Sequence, residues 1–304
     1  MTSSPNGADP LQIEMHSHPP RVPETFRIYR QSLGSQWPLS EQRFLQTGST
    51  QVAIARRHGH AIGFALVDHQ GTRGYIQIIA VRPTHQAQGI GSALLQASER
   101  WLARRAVTIV HAGRGRHYLW QGAPGGCEGF FRRNGYVETE TSIDMTLNLG
   151  DYGHPAGADD GLPPHVAIRA ARPQDAALLP LAFQDDDLAD WLGIYTDAMA
   201  SGQHERILLA TLADEIAGFV LVLTEGLTWE ACFPGKTGGL GCLGVKQAHR
   251  NRGIGRALAA TATSQLKREG MTTSYVGWTW LEDWYAALGY RVWRRFHMMQ
   301  KSLR

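Results

Sequence analysis

The chain has 304 residues, 43% of them hydrophobic and 19% charged, and carries a net charge of +3. That length suits two domains of roughly 150 residues each, and the composition excludes a disordered chain. So small a charge argues against nucleic acid as a partner, and no apolar run reaches the roughly 18 residues needed to cross a membrane.

The first stretch, residues 1–20, reads as a flexible tail. It opens with MTSSPNGADP and lacks the apolar core of a signal peptide. From 21 to 149 strands and helices alternate. Val52 to Arg56, Ile62 to Val67 and Tyr75 to Val81 have the composition of strands. Ile90, Leu94, Ala97 and Trp101 then set one face of a helix. Val107 to His111 predicts a strand, Glu128 to Asn134 a helix and Ser142 to Leu147 a closing strand. The three cysteines Cys127, Cys232 and Cys242 are too widely spaced for a disulfide framework or a zinc pattern. They point to a reducing, cytoplasmic location and to no metal.

Gly150 to Pro164 is dominated by Gly, Pro and Asp, which predicts a linker over 150–164. The second domain, 165–304, starts with a short strand at Val166 to Ile168, and Arg169 to Gln203 reads as mainly helical. Ile207 to Leu212 and Gly218 to Leu223 predict strands joined by a turn at Asp214-Glu215. Another strand is expected at Leu240 to Val245. Ile254, Leu258, Ala262 and Leu266 recur every four residues and predict an amphipathic helix from Gly253 to Lys267. Thr273 to Trp278 reads as a strand, Leu281 to Leu288 as a helix with Thr279 and Glu282 spaced as a capping box, and Arg291 to Ser302 as the last strands. The expected fold class is α/β: two tandem domains, each a mixed sheet flanked by helices.

One phrase occurs in both halves. Val81-Arg82-Pro83-Thr84-His85-Gln86-Ala87-Gln88-Gly89-Ile90-Gly91 is matched by Val245-Lys246-Gln247-Ala248-His249-Arg250-Asn251-Arg252-Gly253-Ile254-Gly255. Each copy follows a strand and opens a helix. Glycines there let backbone approach a ligand, and the free N–H groups and dipole of the helix start suit a phosphate. Arg250, Arg252 and Arg256 surround the second turn with donors that suit pyrophosphate. A tight turn with a solvated basic face is the plainer alternative, less apt for two copies than for one. A P-loop needs Gly-Lys-Ser/Thr, and a dinucleotide fingerprint needs a third glycine; neither copy has them.

At these residues the chain resembles the GNAT superfamily of acyl-CoA N-acyltransferases, whose signature is Arg/Gln-x-x-Gly-x-Gly/Ala. Gln86 to Gly91 and Arg250 to Gly255 both match. The resemblance implies that the turn grips the pyrophosphate of coenzyme A, and that the preceding strand splays and bonds the pantetheine through its backbone. Leu243, Val245, Arg250, Arg252, Gly253, Ile254, Gly255 and Arg256 are then the cofactor residues of the second copy, and Val81, Gln86, Gln88, Gly89, Gly91 and Ser92 their counterparts in the first. A second family element, Tyr-x-x-x-Gly-Phe/Tyr, appears as Tyr285-Ala286-Ala287-Leu288-Gly289-Tyr290. In the family its tyrosine protonates the leaving thiolate; a helix aromatic packed on the sheet is the plainer alternative for Tyr285. The first half has Phe131 at that place, and Phe has no proton to donate. The second half is therefore expected to be catalytic and the first a degenerate copy that still binds coenzyme A or only shapes the site.

Acceptor residues are harder to read. Asp283, in the first turn before Tyr285, suits either a bound ammonium or the helix N-terminus. Trp278, Trp280 and Trp284 suit a sugar face or a core. Asp185-Asp186-Asp187, Glu225 and Glu230 are further acids in segments that border the acceptor cleft in the superfamily, with solvated loops as the plainer reading. Cys242 has no His or acid at a spacing that would activate it, so an acyl-cysteine route is not expected. The tandem layout and the segment Thr279 to Tyr290 are similar to bacterial glucosamine/glucosaminide N-acetyltransferases. That resemblance implies acetyl-CoA as cofactor, an amino sugar as acceptor, direct attack in a ternary complex and a possible homodimer. A mycothiol-synthase-like enzyme, another small-amine or protein-lysine acetyltransferase, and a non-catalytic acyl-CoA sensor are the alternatives.

Overall fold

The computed structural model describes residues 10–17, 23–46, 51–114, 119–185, 187–213 and 215–303. Its elements in chain order are β1 (Gln12–Ser17), α1 (Pro23–Ser32), α2 (Glu41–Leu45), β2 (Gln51–Arg57), β3 (His60–Gln70), β4 (Arg73–Val81), α3 (Ile90–Ala103), β5 (Ile109–Ala112), β6 (Ala123–Pro124), α4 (Glu128–Arg133) and β7 (Val137–Asn148). Then follow β8 (Val166–Ala170), α5 (Leu179–Ala182), α6 (Leu192–Ala200), β9 (Ile207–Leu212), β10 (Glu215–Leu223), β11 (Thr237–Val245), α7 (Ile254–Arg268), β12 (Thr273–Thr279), α8 (Glu282–Ala286) and β13 (Arg291–Ser302).

Two compact units emerge: residues 1–142 with 294–304, and residues 143–293. In the first unit the strands run β1-β2-β3-β4-β5-β13, and in the second β7-β12-β11-β10-β9-β8. Each sheet is antiparallel except for one pair, β4 with β5 and β11 with β12. A parallel neighbour needs a crossover, and α3 and α7 supply it. The far part of β7, Ile143 to Asn148, belongs to the second unit and pairs with β12. The far part of β13 belongs to the first and pairs with β5. The closing strand of each repeat is thus counted in the sheet of the other.

The first unit packs α3 on its sheet through Ile90, Leu94, Leu95 and Leu102, over Ala65, Val67, Ile76 and Val110. The second packs α7 in the same way through Ile254, Leu258, Ala262 and Leu266, over Val220, Val222, Leu240 and Val276. Each fully buried Leu or Ile contributes about 1.5–3 kcal/mol, so these two helices are anchored by their four-residue rhythm. On the second unit's other face, Phe183, Leu188, Tyr195 and Phe219 form a separate cluster under α5 and α6.

Several expectations are corrected. Gln12–Ser17 lies in the stretch read as a tail, yet it forms an edge strand on β2, because Ile13 and Met15 alternate onto the first core. Residues 1–9 and 18–20 of that stretch lie outside the described residues. Arg169 to Gln203 is mainly helical as expected, but in short pieces: 3₁₀ turns, α5 and α6, with Pro173 and Pro180 each at a helix start, while Arg169 and Ala170 close β8. Thr279 does not cap α8; its Oγ1 accepts instead from the Leu281 N–H at 3.1 Å. Of the expected turn at Asp214-Glu215, Asp214 lies outside the described residues.

Candidate functional site

The parting of two strands makes the site. β11 and β12 pair in parallel from Thr237/Thr273 to Leu240/Val276, and there the register ends although both strands continue. Beyond it lie Gly241 to Val245 on one side and Gly277 to Thr279 on the other. Both margins are kinked. Cys242 has φ 46° and Trp278 φ 53°, a left-handed backbone that costs a non-glycine residue about 1–2 kcal/mol. The β10–β11 register slips at the same place, between Phe219/Gly244 and Leu221/Gly241, which marks a bulge at Cys242 and Leu243. The kinks have partners. Tyr195, fully buried, donates its hydroxyl to the Cys242 carbonyl at 2.8 Å. The Trp278 N–H reaches Asp144 Oδ1 at 2.8 Å, and the Tyr275 hydroxyl bonds the same carboxylate. Asp144 is 2% exposed and accepts both of these bonds inside the protein.

At the end of β11 stands the second glycine turn. Gly253 is the residue before α7, with φ 75°, and Asn251 is also left-handed at φ 60°. Arg250 turns Nε to the Val245 carbonyl at 2.9 Å and Nη2 to Asp187 at 2.7 Å. Asp185 accepts from the Gln247 N–H at 2.6 Å. Asp185 and Asp187, read from sequence as either solvated loop acids or acceptor residues, thus serve this turn; Asp186 lies outside the described residues. Arg252 is exposed, while Ile254 is buried in the core and offers a ligand only its backbone. Gly255 lies under the Trp284 indole: a Cβ there would come within 3.5 Å of that ring, 3.4 Å of Val245 and 3.8 Å of Leu243. One surface therefore carries Leu243, Val245, Gly255 and Trp284.

The second turn has a further wall that no sequence signal suggested. The expected linker lies along α7. Lys267 Nζ holds the carbonyls of Gly150 and Tyr152, the Tyr152 hydroxyl donates to the Ala260 carbonyl, and His154 bonds Ser264. Ala158 enters the second core. The Asp160 carbonyl oxygen lies 2.9 Å from where a Cβ on Gly253 would sit, and the Arg256 guanidinium lies 3.4 Å from the same point on Gly157. Gly253 is required here twice, by its φ and by this neighbour.

The first turn repeats the frame with other chemistry. β4 and β5 pair from Arg73/Ile109 to Ile76/Ala112, and β4 continues to Val81. Gly89 precedes α3 with φ 78°, and nothing lies within 4 Å of where its Cβ would be. Gln86 Nε2 donates to the Val81 carbonyl at 2.9 Å, the bond that Arg250 makes to Val245. Gln88 accepts from Arg57 Nη1 at 3.0 Å and donates to the Thr84 carbonyl. Gly91 faces Phe130 as Gly255 faces Trp284, and Ser92 is half-buried.

Tyr285, on the short helix α8, is buried against Trp284 and Tyr290, with ring centroids at 4.7 and 5.6 Å. Burial pushes its hydroxyl up to about pKa 12, so it stays protonated at neutral pH. Burial likewise raises the Cys242 thiol to about 11, far from a reactive thiolate. Phe131, on α4, is buried at the corresponding place beside Tyr136. Of the acceptor candidates, Asp283 is exposed in the first turn of α8, Glu230 is exposed in a short 3₁₀ turn (Glu230–Cys232), and Trp278 is half-buried. Trp280 is 67% exposed, which removes a core role for it. Among the described residues no three or more of His, Cys, Asp and Glu gather as a metal site, and no helix is long and apolar enough to cross a membrane.

Comparison with known proteins agrees with this architecture. The sequence profile of the acetyltransferase (GNAT) family matches residues 12–117 and 172–290. No curated protein matches the chain. Among solved structures, a glucosamine N-acetyltransferase region of a fungal multi-domain GH3 β-N-acetylglucosaminidase superposes with TM-score 0.80 at 21% identity, covering 99% of this chain. This chain spans only 39% of that one. A GCN5-related N-acetyltransferase from Sphaerobacter thermophilus gives TM-score 0.70 at 18% identity, covering 96% of each chain. A tandem GNAT protein of the clavulanic acid biosynthesis pathway gives 0.67 at 15%, covering 96% of this chain and 98% of its own. At such identities the likeness is one of fold.

Proposed function

The chain belongs to the GNAT acetyltransferase family and is an acyltransferase, and from that premise we propose an acetyl-CoA-dependent N-acetyltransferase whose second repeat is catalytic and whose acceptor is the primary amine of an amino sugar. The observation that carries this reading is the second repeat's combination of parted strands, a glycine turn and a buried, protonated Tyr285, against Phe131 in the first. The residues fit the cofactor. The end of β11–β12 pairing past Leu240 and Val276 suits an extended pantetheine, and the start of α7, with Arg252 exposed beside it, suits a pyrophosphate. Bound acetyl-CoA supplies an activated acetyl thioester.

The chain's own residues supply the rest. Backbone N–H groups from Leu243 to Val245 polarise the thioester carbonyl. Tyr285 gives its proton to the departing sulfur as the C–S bond breaks. Asp283 orients the amine and accepts a proton as the C–N bond forms. The exposed Trp280 and the half-buried Trp278 offer flat faces to a sugar ring. A glucosamine N-acetyltransferase region among the solved structures adds weight to the sugar.

The test is thiol release from acetyl-CoA with glucosamine, chitobiose-type oligomers, a polyamine and a lysine peptide offered in parallel. Release with the sugars alone supports the reading. Release with the peptide or polyamine alone replaces the acceptor, and binding of acetyl-CoA with no release from any amine removes the enzyme reading of this site in favour of a sensor.

A further inference from the structure

The bulge in β11 is held from outside the gap. Cys242 is a non-glycine residue at φ 46°, placed two residues past the last β11–β12 pair. A left-handed residue in mid-strand reverts to extended backbone unless its surroundings hold it there. The Tyr195 hydroxyl, donating to the Cys242 carbonyl at 2.8 Å, is such a hold. It comes from α6, and its ring is locked by Phe183 at 4.9 Å and Phe219 at 5.0 Å. Phe219 is itself the β10 partner of Gly244, and a Cβ on Gly244 would meet that ring at 2.6 Å. Tyr195 and Phe219 thus grip both sides of Leu243. The first repeat is arranged differently at the described residues. There the bulge falls at Gln77, between the Val67/Ile76 and Leu66/Ile78 pairs, and Tyr29 on α1 donates instead to the Trp37 carbonyl.

We propose that Tyr195 is a positioning residue for catalysis: by holding the Cys242 carbonyl it fixes the left-handed kink in β11 and aims the amides past the kink at the thioester carbonyl. This rests on the reading that the gap receives acetyl-CoA. Tyr195 touches neither substrate nor cofactor and acts only through the strand.

The test uses the full chain, Tyr195→Phe, and Tyr195→Phe combined with Cys242→Gly, since glycine adopts a left-handed φ without the hydrogen bond. Tyr195→Phe is expected to lower kcat about tenfold to hundredfold, as misplacement of a catalytic group does, with the KM for acetyl-CoA nearly unchanged. It is also expected to reduce the preference for acetyl-CoA over coenzyme A in calorimetry, because only the former has the carbonyl. The double variant should recover most of kcat. A Tyr195→Phe protein that melts lower but keeps its kcat overturns the proposal, as does a loss of kcat that Cys242→Gly leaves in place. If wild-type protein fails to bind acetyl-CoA, the underlying reading falls and this one with it, and that failure is recognised before any substitution is made.

Discussion

The two glycine turns share a frame and differ in what surrounds it. In both, the first side chain of the motif donates to the carbonyl of the valine that ends the strand, Gln86 to Val81 and Arg250 to Val245. One N–H is enough for that bond, so glutamine and arginine serve equally. The positive charge of Arg250 is therefore not needed to build the turn. It is also matched by Asp187. The halves part company at Phe131 against Tyr285, at an open Gly89 against a Gly253 walled by Asp160, and at Tyr29 against the Tyr195 hold on Cys242. The frame that shapes the turn is thus present twice, whereas the tyrosine proposed as the acid is present once, with Phe131 at its counterpart.

The largest expected break in that comparison is at the tyrosine. Tyr285→Phe should lower kcat about a hundredfold or more, with acetyl-CoA affinity held, while Phe131→Tyr changes turnover little. With the hydroxyl at about pKa 12, wild-type kcat should show no loss of this acid between pH 7 and pH 10. The stability sign is the matching one. A raised folded pKa favours the neutral form, so its contribution is complete below the ordinary tyrosine value and is lost as pH rises through about 12. A pH–kcat profile and alkaline melting curves check both.

Next come the glycines. Gly253→Val meets a left-handed φ and the Asp160 carbonyl together, and should weaken acetyl-CoA binding and thiol release about tenfold to hundredfold. Gly89→Val meets only the φ, in open space, and should leave thiol release within about twofold of wild type. Equal losses from both would place the activity in the two turns jointly. The smallest effect is expected at Arg250. Arg250→Gln keeps a donor for Val245 and loses only an exposed ion pair, so unfolding free energy should fall by less than about 0.5 kcal/mol. Arg250→Ala, which abandons the carbonyl, should cost about 1 kcal/mol in denaturant titration.

Much of this was legible without coordinates. The repeated phrase placed both turns, and the four-residue spacing of Ile254, Leu258, Ala262 and Leu266 located α7, because apolar periodicity is a local property. What escaped notice depends on distant partners. Cys242 looks like any strand residue until Tyr195 reaches its carbonyl. Asp144 reads as an ordinary polar residue in a strand, yet it is buried on the Trp278 amide from far along the chain. Gly150 to Leu162 has the composition of a spacer, and nothing in it announces that Lys267 and Ser264 will fasten it to α7. The domain limits at 149 and 165 followed composition, whereas the compact units follow strand pairing.

The exchange of closing strands has a consequence for the order of synthesis. A ribosome finishes β1 to β5 early, but the strand that covers β5 is the far part of β13, made after every element of the second unit. At about 5–20 residues per second, the bare edge of β5 waits on the order of ten seconds or more for its partner. A bare edge is a template for pairing with other chains. The nascent first repeat therefore exposes that edge until synthesis is nearly complete, and a fragment cut within 150–164 leaves each half without its own sheet's last strand.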